Sequence, residues 1–370
     1  MNRPPNPTVF HYYARYLAHP SGVTDSINNW VLALSSKGGS TRIVGARVGS
    51  APNNEFADAD RTLTVPHIGW NRATWLPLGL MRLLRRGDLL VLHEGWVLSN
   101  LGAAIIARIR RVPYIVVPHG VYERGIIEST RDFAGARVSA EKWLLRNSAA
   151  VHVFYRGETE VVRDLEPKTG SYIVHPNGAP TSSDEWTGSG DYFLWIGRFD
   201  PHHKGLDNLV RSWARLPEPR PRLILAGPDF RGGRAQIKSL VDEHGLSDTI
   251  TIRGRVSGDE KTELMREARA YVHPSRWESC SIMLLEMLGL GVPAVISETI
   301  HAAGELEPVG AVMVASFEAD PNRLAATIDA VDRNVALGHR AREWVEEDGS
   351  WEAVTPAYVQ DIEIIQRSYA

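Results

Sequence analysis

Residues 195–207 of this chain read WIGRFDPHHKGLD. An apolar run that starts at residue 192 stops at Ile196, Gly197 permits a tight turn, and helical spacing begins at Gly205. An apolar run, a glycine and an amphipathic segment in this order predict a β-strand that leads into an α-helix. The same alternation continues in both directions along the chain. It predicts an α/β fold in which parallel sheets carry helices on both faces.

The predicted elements form two series. In the first series we expect strands at 9–13, 41–44, 88–93, 113–118 and 149–154, and helices at 22–36, 76–86, 101–110 and 138–146. In the second series we expect strands at 192–196, 222–225, 250–253, 270–273 and 293–296, and helices at 205–216, 235–244, 261–269 and from Ser281 onward. Pro77 suits the opening turn of the 76–86 helix, where a missing N–H costs nothing.

A polar stretch separates the two series. Residues 180–191 read PTSSDEWTGSGD and follow neither the helical nor the strand period, which is typical of a linker. We therefore expect two doubly wound, Rossmann-like domains that join near residue 185. Ligands of such sheets bind at the carboxyl ends of the strands, so two sheets that face each other would form a binding cleft between the domains.

Composition restricts the class of protein. The 370 residues are 43% hydrophobic and 23% charged, and the formal net charge of −3 argues against a general nucleic-acid binder. The first residues lack the apolar core of a signal peptide, and no apolar run approaches the ~18 residues of a membrane span. The single cysteine, Cys280, permits no internal disulfide and suits a reducing compartment. We therefore expect a cytoplasmic protein.

The loop at 197–204 carries two cations. Arg198 and Lys204 follow a predicted strand end and come just before a predicted helix start. Two fixed cations at this place suit a diphosphate, whose negative charge grows as it departs as a leaving group. From spacing alone, an exposed basic loop is an equally good interpretation.

Residues 276–286 read RWESCSIMLLE and carry a second candidate site. If the helix is capped at Ser279 or Cys280, the amides of 281–283 are free to bind an anion. Glu278 and Glu286 are eight residues apart, just over two helical turns, so they would lie on roughly one side. A carboxylate can accept two hydrogen bonds from a sugar or ribose diol. Two ordinary solvated acids are the alternative interpretation.

Together these stretches resemble the second domain of the retaining GT-B glycosyltransferases of family 4. The resemblance adds AGP at 226–228, GRV at 254–256, AYVHPS at 270–275 and GVP at 291–293. It implies that Arg198 and Lys204 hold the donor diphosphate with the amides of Ser281, Ile282 and Met283. It further implies that Glu278 meets the donor sugar, that Glu286 holds the ribose and that Val256 lies against the base. Ser281 stands where many members have glycine, which crowds the amide slightly.

The first half matches the family more loosely. VVPHG at 116–120 resembles a strand-end His-Gly, which places His119 near the donor sugar. Gly22 stands where many members have a Gly-Gly loop under the diphosphate. Glu94 and Trp96 fall where acceptor contacts could be, although a surface loop is at least as good an interpretation. DGSWE at 348–352 resembles the family's closing motif.

The resemblance implies a domain division as well as an activity. The expected domains are an acceptor-side domain at 1–184 and a nucleotide-sugar domain at 185–351, with a helix at 352–370 that packs back on the first domain. The implied activity is transfer of a sugar, with retained configuration, from a nucleoside-diphosphate sugar to an unidentified acceptor. We expect no metal and no other cofactor, because the DAD at 58–60 lacks the strand context of a metal-binding Asp-x-Asp.

Two rival functions stay open at this point. A GT-B nucleotide-sugar epimerase would share the fold but needs no acceptor, so product analysis without acceptor would separate it. A non-catalytic nucleotide-sugar-binding protein would bind the donor without turnover. The presence of both cations and both glutamates counts against a mere binding protein.

Charge is distributed unevenly between the halves. Residues 1–185 carry 21 Lys and Arg against 16 Asp and Glu, a net charge of +5, and the remainder carries −8. The basic excess includes two sets of arginines: Arg82, Arg85 and Arg86, and Arg108, Arg110 and Arg111. These sets leave open a peripheral contact with anionic lipid at the inner face of the membrane. Solvated helix ends that are favoured by the helix dipole explain the same arginines.

Overall fold

The structure, a computed structural model, describes residues 7–18, 21–46, 58, 60–69, 76–129, 135–318 and 321–369. The chain forms two units, and each is built on one parallel sheet. Unit 1 contains Met1–Asn177 and Val354–Ala370, and unit 2 contains Gly178–Ala353. The Asp-x-Asp look-alike at 58–60 lies partly outside the described residues.

Unit 1 holds a seven-stranded sheet within the described residues, in the order β3-β2-β1-β4-β5-β6-β7. Its strands are β1 (Val9–Tyr12), β2 (Thr41–Ala46), β3 (Thr62–Val65), β4 (Leu89–His93), β5 (Tyr114–Val117), β6 (Ala150–Val153) and β7 (Ser171–Val174). Its helices are α1 (Gly22–Ser36), α2 (Leu80–Leu83), α3 (Leu98–Ile109), α4 (Arg124–Ser129), α5 (Gly135–Arg146) and α6 (Glu158–Leu165). The central strands are buried at every position because helices cover both faces of a parallel sheet.

Among the residues described in unit 2, six strands form a parallel sheet in the order β10-β9-β8-β11-β12-β13. Its strands are β8 (Tyr192–Ile196), β9 (Arg222–Ala226), β10 (Ile250–Arg253), β11 (Tyr271–His273), β12 (Ala294–Ser297) and β13 (Met313–Ala315). The helices that follow are α7 (Leu206–Trp213), α8 (Gly233–Glu243), α9 (Gly258–Glu267), α10 (Ile282–Leu290), α11 (Ala303–Leu306), α12 (Pro321–Val331), α13 (Val335–Trp344) and α14 (Trp351–Tyr369). A π-helical turn, Val345–Gly349, precedes α14.

Strand order reverses once in each sheet. In unit 1 the reversal lies between β1 and β4, and in unit 2 it lies between β8 and β11. The loops that leave the two strands diverge to opposite faces of the sheet, which opens a crevice at their carboxyl ends. The two Rossmann-like sheets predicted from the alternation are confirmed, and their reversal points locate a candidate binding region in each unit.

One predicted helix is wrong. Instead of a helix over 76–86, only Leu80–Leu83 is helical. Leu76 is paired with Ile68 through two backbone hydrogen bonds of 2.8 and 3.0 Å, and Leu84 is extended. This pairing consumes the backbone groups that the first helical turn would have used, so Pro77 precedes the helix.

The boundary between the units falls seven residues before the expected end of the first domain at 184. Asn177 is buried in unit 1, where its side-chain oxygen accepts hydrogen bonds from Ser26 and from the Trp30 indole. The stretch expected to be a linker is instead bound along unit 2. The Trp186 amide donates to Leu290 O, and the Gly190 amide donates to Glu267 O.

Helix α14 contributes its later residues to unit 1. The Tyr358 ring lies 4.2 Å from the Trp30 ring, and Asp361 lies 2.9 Å from His175 Nε2. Gln366 donates to Gly87 O. Across the described residues, no helix combines the length and the apolar character needed to cross a membrane.

Candidate active site

The strand reversal in unit 2 brings two loops together. The loop after β8 carries Gly197 to Gly205, and the loop after β11 leads from Pro274 to α10. Gly205 has φ of 62°, and a Cβ there would lie 1.9 Å from Pro274 O. Only glycine permits this approach. The sequence GRFDPHHKG therefore folds against the second loop rather than into solvent.

Arg276 joins the two loops. Its amide donates to His203 O at 3.0 Å, and its guanidinium donates to His202 O at 2.7 Å. The same guanidinium forms a bidentate ion pair with Asp207 on α7, with distances of 2.7 and 3.0 Å. Bidentate arginine–carboxylate pairs fix geometry in two directions. Sequence reasoning did not identify Arg276 as a positioning residue, although it stands two residues before Glu278.

Lys204 and Glu278 form an ion pair inside this joint. Their side chains are 16% and 15% exposed. Ser275 Oγ lies 3.5 Å from the carboxylate, and His273 Nε2 lies 3.9 Å from it. Burial alone would raise the pKa of Glu278, but Lys204 and the nearby imidazoles outweigh burial and lower it to about 2. Glu278 is therefore an anion at neutral pH, and it can accept hydrogen bonds but cannot donate a proton.

The two histidines of this joint stay neutral. Burial, followed by the charge on Lys204, lowers the pKa of His203 to about 4. Burial lowers the pKa of His273 to about 4, although Glu278 opposes the shift. The His203 ring stacks on Trp277 at 5.0 Å, and its Nε2 is 3.1 Å from Trp277 O. His203 is thus a packing residue, and Lys204 is the buried cation of the loop.

Arg198 is placed at the surface of the same loop. Its guanidinium lies 4.1 Å from the centre of the Phe230 ring and 3.5 Å from Asp200 Oδ2. The side chain is 47% exposed. A cation over an aromatic face is oriented while its N–H donors stay available. Arg198 can therefore offer a positive charge to a ligand without losing a buried partner.

Helix α10 begins one to two residues later than expected. Ser281, rather than Ser279 or Cys280, is the N-cap, and its Oγ accepts a hydrogen bond from the Leu284 amide at 3.3 Å. The amides of Ile282 and Met283 occupy the first turn, where no intrahelical acceptor exists. A serine at 281 thus turns its hydroxyl back onto its own helix. This arrangement leaves two N–H groups for an anion.

Glu286 lies one turn into α10 and forms an ion pair with Lys261 of α9. Both glutamates, Glu278 and Glu286, act on the buried Tyr271 hydroxyl, whose pKa is raised first by burial and then by the two carboxylates. Glu278 and Glu286 thus have the Tyr271 hydroxyl as a common neighbour. Lys261 had no signal in the sequence, because it is one of several charged residues on a polar helix.

The three residues at 254–256, which follow strand β10, differ in their exposure to solvent. Val256 is buried, with 8% exposure, and the preceding Gly254 and Arg255 are exposed. The segment therefore combines two exposed residues with one buried apolar side chain. Within the described residues, no three His, Cys, Asp or Glu side chains form a group that could hold a metal ion.

The unit 1 candidates lie around the strand reversal between β1 and β4. Gly22 is the first residue of α1, and a Cβ there would meet nothing within 4 Å. His119 follows β5 in a left-handed conformation, with φ of 54°, and its Nε2 lies 2.9 Å from His93 Nδ1. Glu94 follows β4 with φ of 69° and forms an ion pair with Arg15.

Trp96 does not occupy an accessible position. It is 5% exposed, it packs edge-on against Tyr122 at 5.6 Å, and its indole N–H donates to Val121 O at 3.0 Å. Its backbone oxygen accepts from Arg137. Trp96 is therefore a core side chain of unit 1, which removes it as an acceptor contact. The sequence around a tryptophan in a short loop does not distinguish a side chain that packs in the core from one that contacts a ligand.

Two family models match the chain in succession. The model described as "Glycosyl transferase 4-like domain" matches residues 21–178, and the model described as "Glycosyl transferases group 1" matches residues 183–344. The first match covers most of unit 1 and the second covers most of unit 2.

Relatives of known activity are similar over part of their length. The O-antigen chain mannosyltransferase B of Escherichia coli is 30% identical over 165 residues, 44% of this chain and 39% of that protein. A glycogen synthase of Mycobacterium tuberculosis is 25% identical over 293 residues, 74% of this chain and 68% of that protein. The GDP-mannose:cellobiosyl-diphosphopolyprenol alpha-mannosyltransferase of Xanthomonas campestris is 24% identical over 268 residues, 68% of each chain.

Solved structures share the fold across almost the whole chain. Sucrose-phosphate synthase from Thermosynechococcus elongatus superposes with a TM-score of 0.77 at 19% identity, covering 98% of this chain and 100% of that chain. The Anabaena protein HepE in complex with UDP-glucose has a TM-score of 0.73 at 13% identity, covering 96% of this chain and 99% of that chain. At such identities the likeness establishes the fold.

Proposed function

This chain is a glycosyltransferase of the GT-B fold, and from that premise we propose that it moves a sugar from a nucleoside-diphosphate donor to an acceptor with retention of configuration. The observation that carries the proposal is the buried Lys204–Glu278 pair beside the first turn of α10. It combines a cation for a diphosphate with an anion for sugar hydroxyls. The membership of family 4 inferred from the motifs supports the same reaction.

The donor diphosphate is assigned to the cations and amides of unit 2. Lys204 and Arg198 supply positive charge, and the amides at the start of α10, from Ser281 to Met283, supply N–H donors. Charged hydrogen bonds to an anion of this kind are worth about 1.5–3 kcal/mol each. The family resemblance adds Gly22 of unit 1, where the absence of a side chain leaves the first turn of α1 open.

The remaining parts of the donor follow from the same assignment. Glu278 accepts hydrogen bonds from the sugar, Glu286 accepts them from the ribose, and Val256 supports the base. His119 of unit 1 meets the sugar as a neutral imidazole, since burial lowers its pKa to about 3. No metal and no other cofactor enters this proposal, because fixed cations already serve the diphosphate.

The reaction follows from the charge states. Glu278 carries no proton at neutral pH, so it does not act as a general acid. We assign the acceptor's proton to the departing phosphate oxygen, on the same face of the sugar. The C–O bond to phosphate breaks as the new glycosidic bond forms, through an oxocarbenium-like state. The protein contributes position and charge: Arg198, Lys204 and the α10 amides stabilise the growing negative charge of the leaving group.

Donor binding tests this assignment. Calorimetry with UDP, GDP and ADP, and with their sugars, identifies the base. Arg198→Ala and Lys204→Ala should each weaken binding of the preferred diphosphate by about 1.5–3 kcal/mol. Lys238→Ala, on the exposed face of α8, is the matched control and should leave affinity unchanged. Wild-type affinity in both site variants would exclude this site, and NMR of a product with inverted anomeric configuration would exclude retention.

Glu94 is the acceptor candidate that the geometry supports. Its left-handed backbone and its ion pair with Arg15 hold a carboxylate at the carboxyl end of β4. A non-glycine residue in this conformation costs about 1 kcal/mol or more, and such strain clusters at functional sites. With an identified acceptor, Glu94→Gln should raise the KM for acceptor and leave the affinity for nucleotide unchanged. A changed nucleotide affinity would argue against this role.

We also propose that unit 1 makes a peripheral contact with anionic lipid through α2 and α3. Three apolar residues, Leu98, Ile105 and Ile109, recur at helical spacing and are exposed on one face of α3. Gly102 of α3 packs against Leu76, whose neighbours Leu78 and Met81 are also exposed, so the two elements form one apolar surface. Contiguous exposed apolar residues are candidates for a binding surface.

Arginines border this apolar surface, which favours anionic lipid as its partner. Arg82, Arg85, Arg108 and Arg111 are exposed, and Arg110 is anchored by a hydrogen bond to Leu84 O. Each basic residue near such a membrane contributes about 1 kcal/mol. The Xanthomonas relative named above acts on a diphosphopolyprenol acceptor, which supports a lipid-linked acceptor here.

Co-sedimentation with vesicles tests the contact. Binding to anionic vesicles should exceed binding to neutral ones and should weaken when Arg82, Arg85 and Arg86 are changed to Glu. The control makes the same charge change at exposed residues elsewhere in unit 1: Arg156, Arg163 and Lys168 to Glu. Equal negligible binding to both vesicle types would refute the contact. Equal losses in both triple variants would show a general charge effect and would refute this face.

A further inference from the structure

Three histidines on three neighbouring strands of unit 1 form one hydrogen-bonded chain. His11 lies in β1, His93 ends β4, and His119 follows the end of β5 by two residues. His11 Nδ1 is 3.0 Å from His93 Nε2, and His93 Nδ1 is 2.9 Å from His119 Nε2. The chain runs outward from the core, since His11 and His93 are each 1% exposed and His119 is half-buried.

Each imidazole of this chain carries one proton at neutral pH. Burial, followed by the neighbouring His152, lowers the pKa of His11 and of His119 to about 3. The pKa of His93 lies well below its usual value because the ring is buried beside His119, His11 and His152. A neutral imidazole has one donor and one acceptor nitrogen. Only two arrangements of the ring protons can therefore form both hydrogen bonds: all three protons on Nδ1, or all three on Nε2.

The inner end of the chain distinguishes the two orders. His11 Nε2 is buried and has no hydrogen-bond partner among the described residues. When every proton is on Nδ1, His11 donates to His93 and His93 donates to His119, which leaves a lone pair at His11 Nε2. When every proton is on Nε2, the chain reverses and His11 Nε2–H becomes a buried donor without an acceptor. Orphaned buried N–H groups are rare in folded proteins, which favours the first order.

The backbone fixes the outer end of the chain. His119 and Gly120 both adopt left-handed conformations, with φ of 54° and 74°. The His119 ring also packs against Phe154 at 5.5 Å. A non-glycine residue stays in this conformation only when its surroundings hold it there. The ring therefore keeps one orientation. Its Nε2 faces His93, and its Nδ1 has no hydrogen-bond partner among the described residues of the protein.

We propose that His11 and His93 are positioning residues that hold His119 in the tautomer protonated on Nδ1, so that His119 presents an N–H donor to an oxygen of the bound sugar donor. This role rests on the proposed function, in which His119 meets the sugar. Without the chain, a neutral histidine can present either a donor or an acceptor. A fixed N–H favours a substrate oxygen at that position and disfavours a substrate N–H donor.

NMR of the ligand-free protein tests the tautomer directly. With ¹⁵N-labelled histidine, long-range ¹H–¹⁵N correlations distinguish protonated from unprotonated ring nitrogens, and the spectrum of His119→Gln assigns the His119 signals. We expect a proton on Nδ1 of His119 and a lone pair on Nε2. A proton on Nε2 of His119 would overturn the proposal. This result does not depend on turnover, so it is separable from failure of the proposed function.

Kinetics test whether the chain matters for the reaction. In His93→Gln, the amide can accept from His11 and donate to His119, which preserves the order. In His93→Phe both links are lost. We expect kcat of His93→Phe to fall by about tenfold or more with little change in KM for the donor, and His93→Gln to retain most of kcat. His67→Gln, outside the chain, is the control.

Two kinetic outcomes would contradict the positioning role. Wild-type kcat in His93→Phe would show that the chain does not matter. Equal losses in His93→Gln and His93→Phe would show that His93 acts only as a packed ring. If His93→Phe does not fold, two measurements still decide the proposal. The NMR spectrum of the wild type reports the tautomer of His119, and the kcat of His93→Gln shows whether an amide can replace the imidazole.

Discussion

Replacing Glu278 by Gln should cost stability in a way that depends on pH. The carboxylate has a folded-state pKa of about 2 against an ordinary value of 4.5, and its side chain is 15% exposed. A lowered pKa means that ionised Glu278 stabilises the fold above about pH 4.5 and that this contribution is lost as pH falls toward 2. The difference between these two pKa values corresponds to about 3 kcal/mol of stability at neutral pH.

The loss can be followed at intermediate pH. Linkage with these two pKa values predicts that the contribution of Glu278 falls by about 1 kcal/mol between pH 7 and pH 4, and by about 2 kcal/mol between pH 7 and pH 3. Glu278→Gln does not titrate and lacks this component. The difference in unfolding free energy between wild type and variant should therefore shrink by these amounts as pH falls.

Urea unfolding at pH 7, 4 and 3 measures the difference. If two transitions are seen, the one that added nucleoside diphosphate shifts is assigned to unit 2, which carries the proposed diphosphate site. Glu243→Gln, at the exposed end of α8, is the matched control and should not change stability at any of these pH values. A difference that is the same at pH 7 and pH 3, or one below about 1 kcal/mol at pH 7, would refute the buried ion pair.

Three further predictions follow from the same site. Gly205→Ala should lower the unfolding free energy by about 1–3 kcal/mol, because the residue has a left-handed conformation and its Cβ would lie 1.9 Å from Pro274 O. The control Gly304→Ala should leave the unfolding free energy unchanged, since a Cβ there meets nothing within 4 Å. Equal stabilities of the two variants in urea unfolding would contradict this prediction. Glu286→Ala should weaken binding of donor and free nucleotide alike, whereas Glu278→Ala should lower turnover with little effect on free nucleotide, and calorimetry showing the reverse would exchange the two roles. Turnover should survive excess EDTA; a loss that magnesium or manganese restores would show a metal requirement.

Much of the fold follows from patterns that span only a few residues. The helix at Gly22–Ser36 and the strands at Tyr192–Ile196 and Ile250–Arg253 have the predicted bounds. Strong periodicity and flanking turn residues define them. The strand at Ser171–Val174 was missed because edge strands are short and partly exposed, and their apolar signal is weak.

Errors arose where long-range contacts override local preference. The apolar run after Pro77 has helical spacing, but pairing of Leu76 with Ile68 keeps its beginning extended. Trp96 was expected at a surface and instead fills the core of unit 1. The N-cap of α10 is Ser281, because its hydroxyl reaches the Leu284 amide. None of these outcomes can be read from neighbours along the chain.

The two parallel sheets and the glycine-bounded loop at 197–205 follow from the order of residues along the chain, since periodicity and turn chemistry act locally. Which of the charged side chains meet depends on the arrangement of the strands in each folded unit. Lys204 and Glu278 are 74 residues apart and come together because β8 and β11 are neighbours at the reversal of strand order. His11 and His93, 82 residues apart, meet because β1 and β4 are neighbours in the other sheet. Burial then sets their protonation, and burial is a property of the folded chain alone.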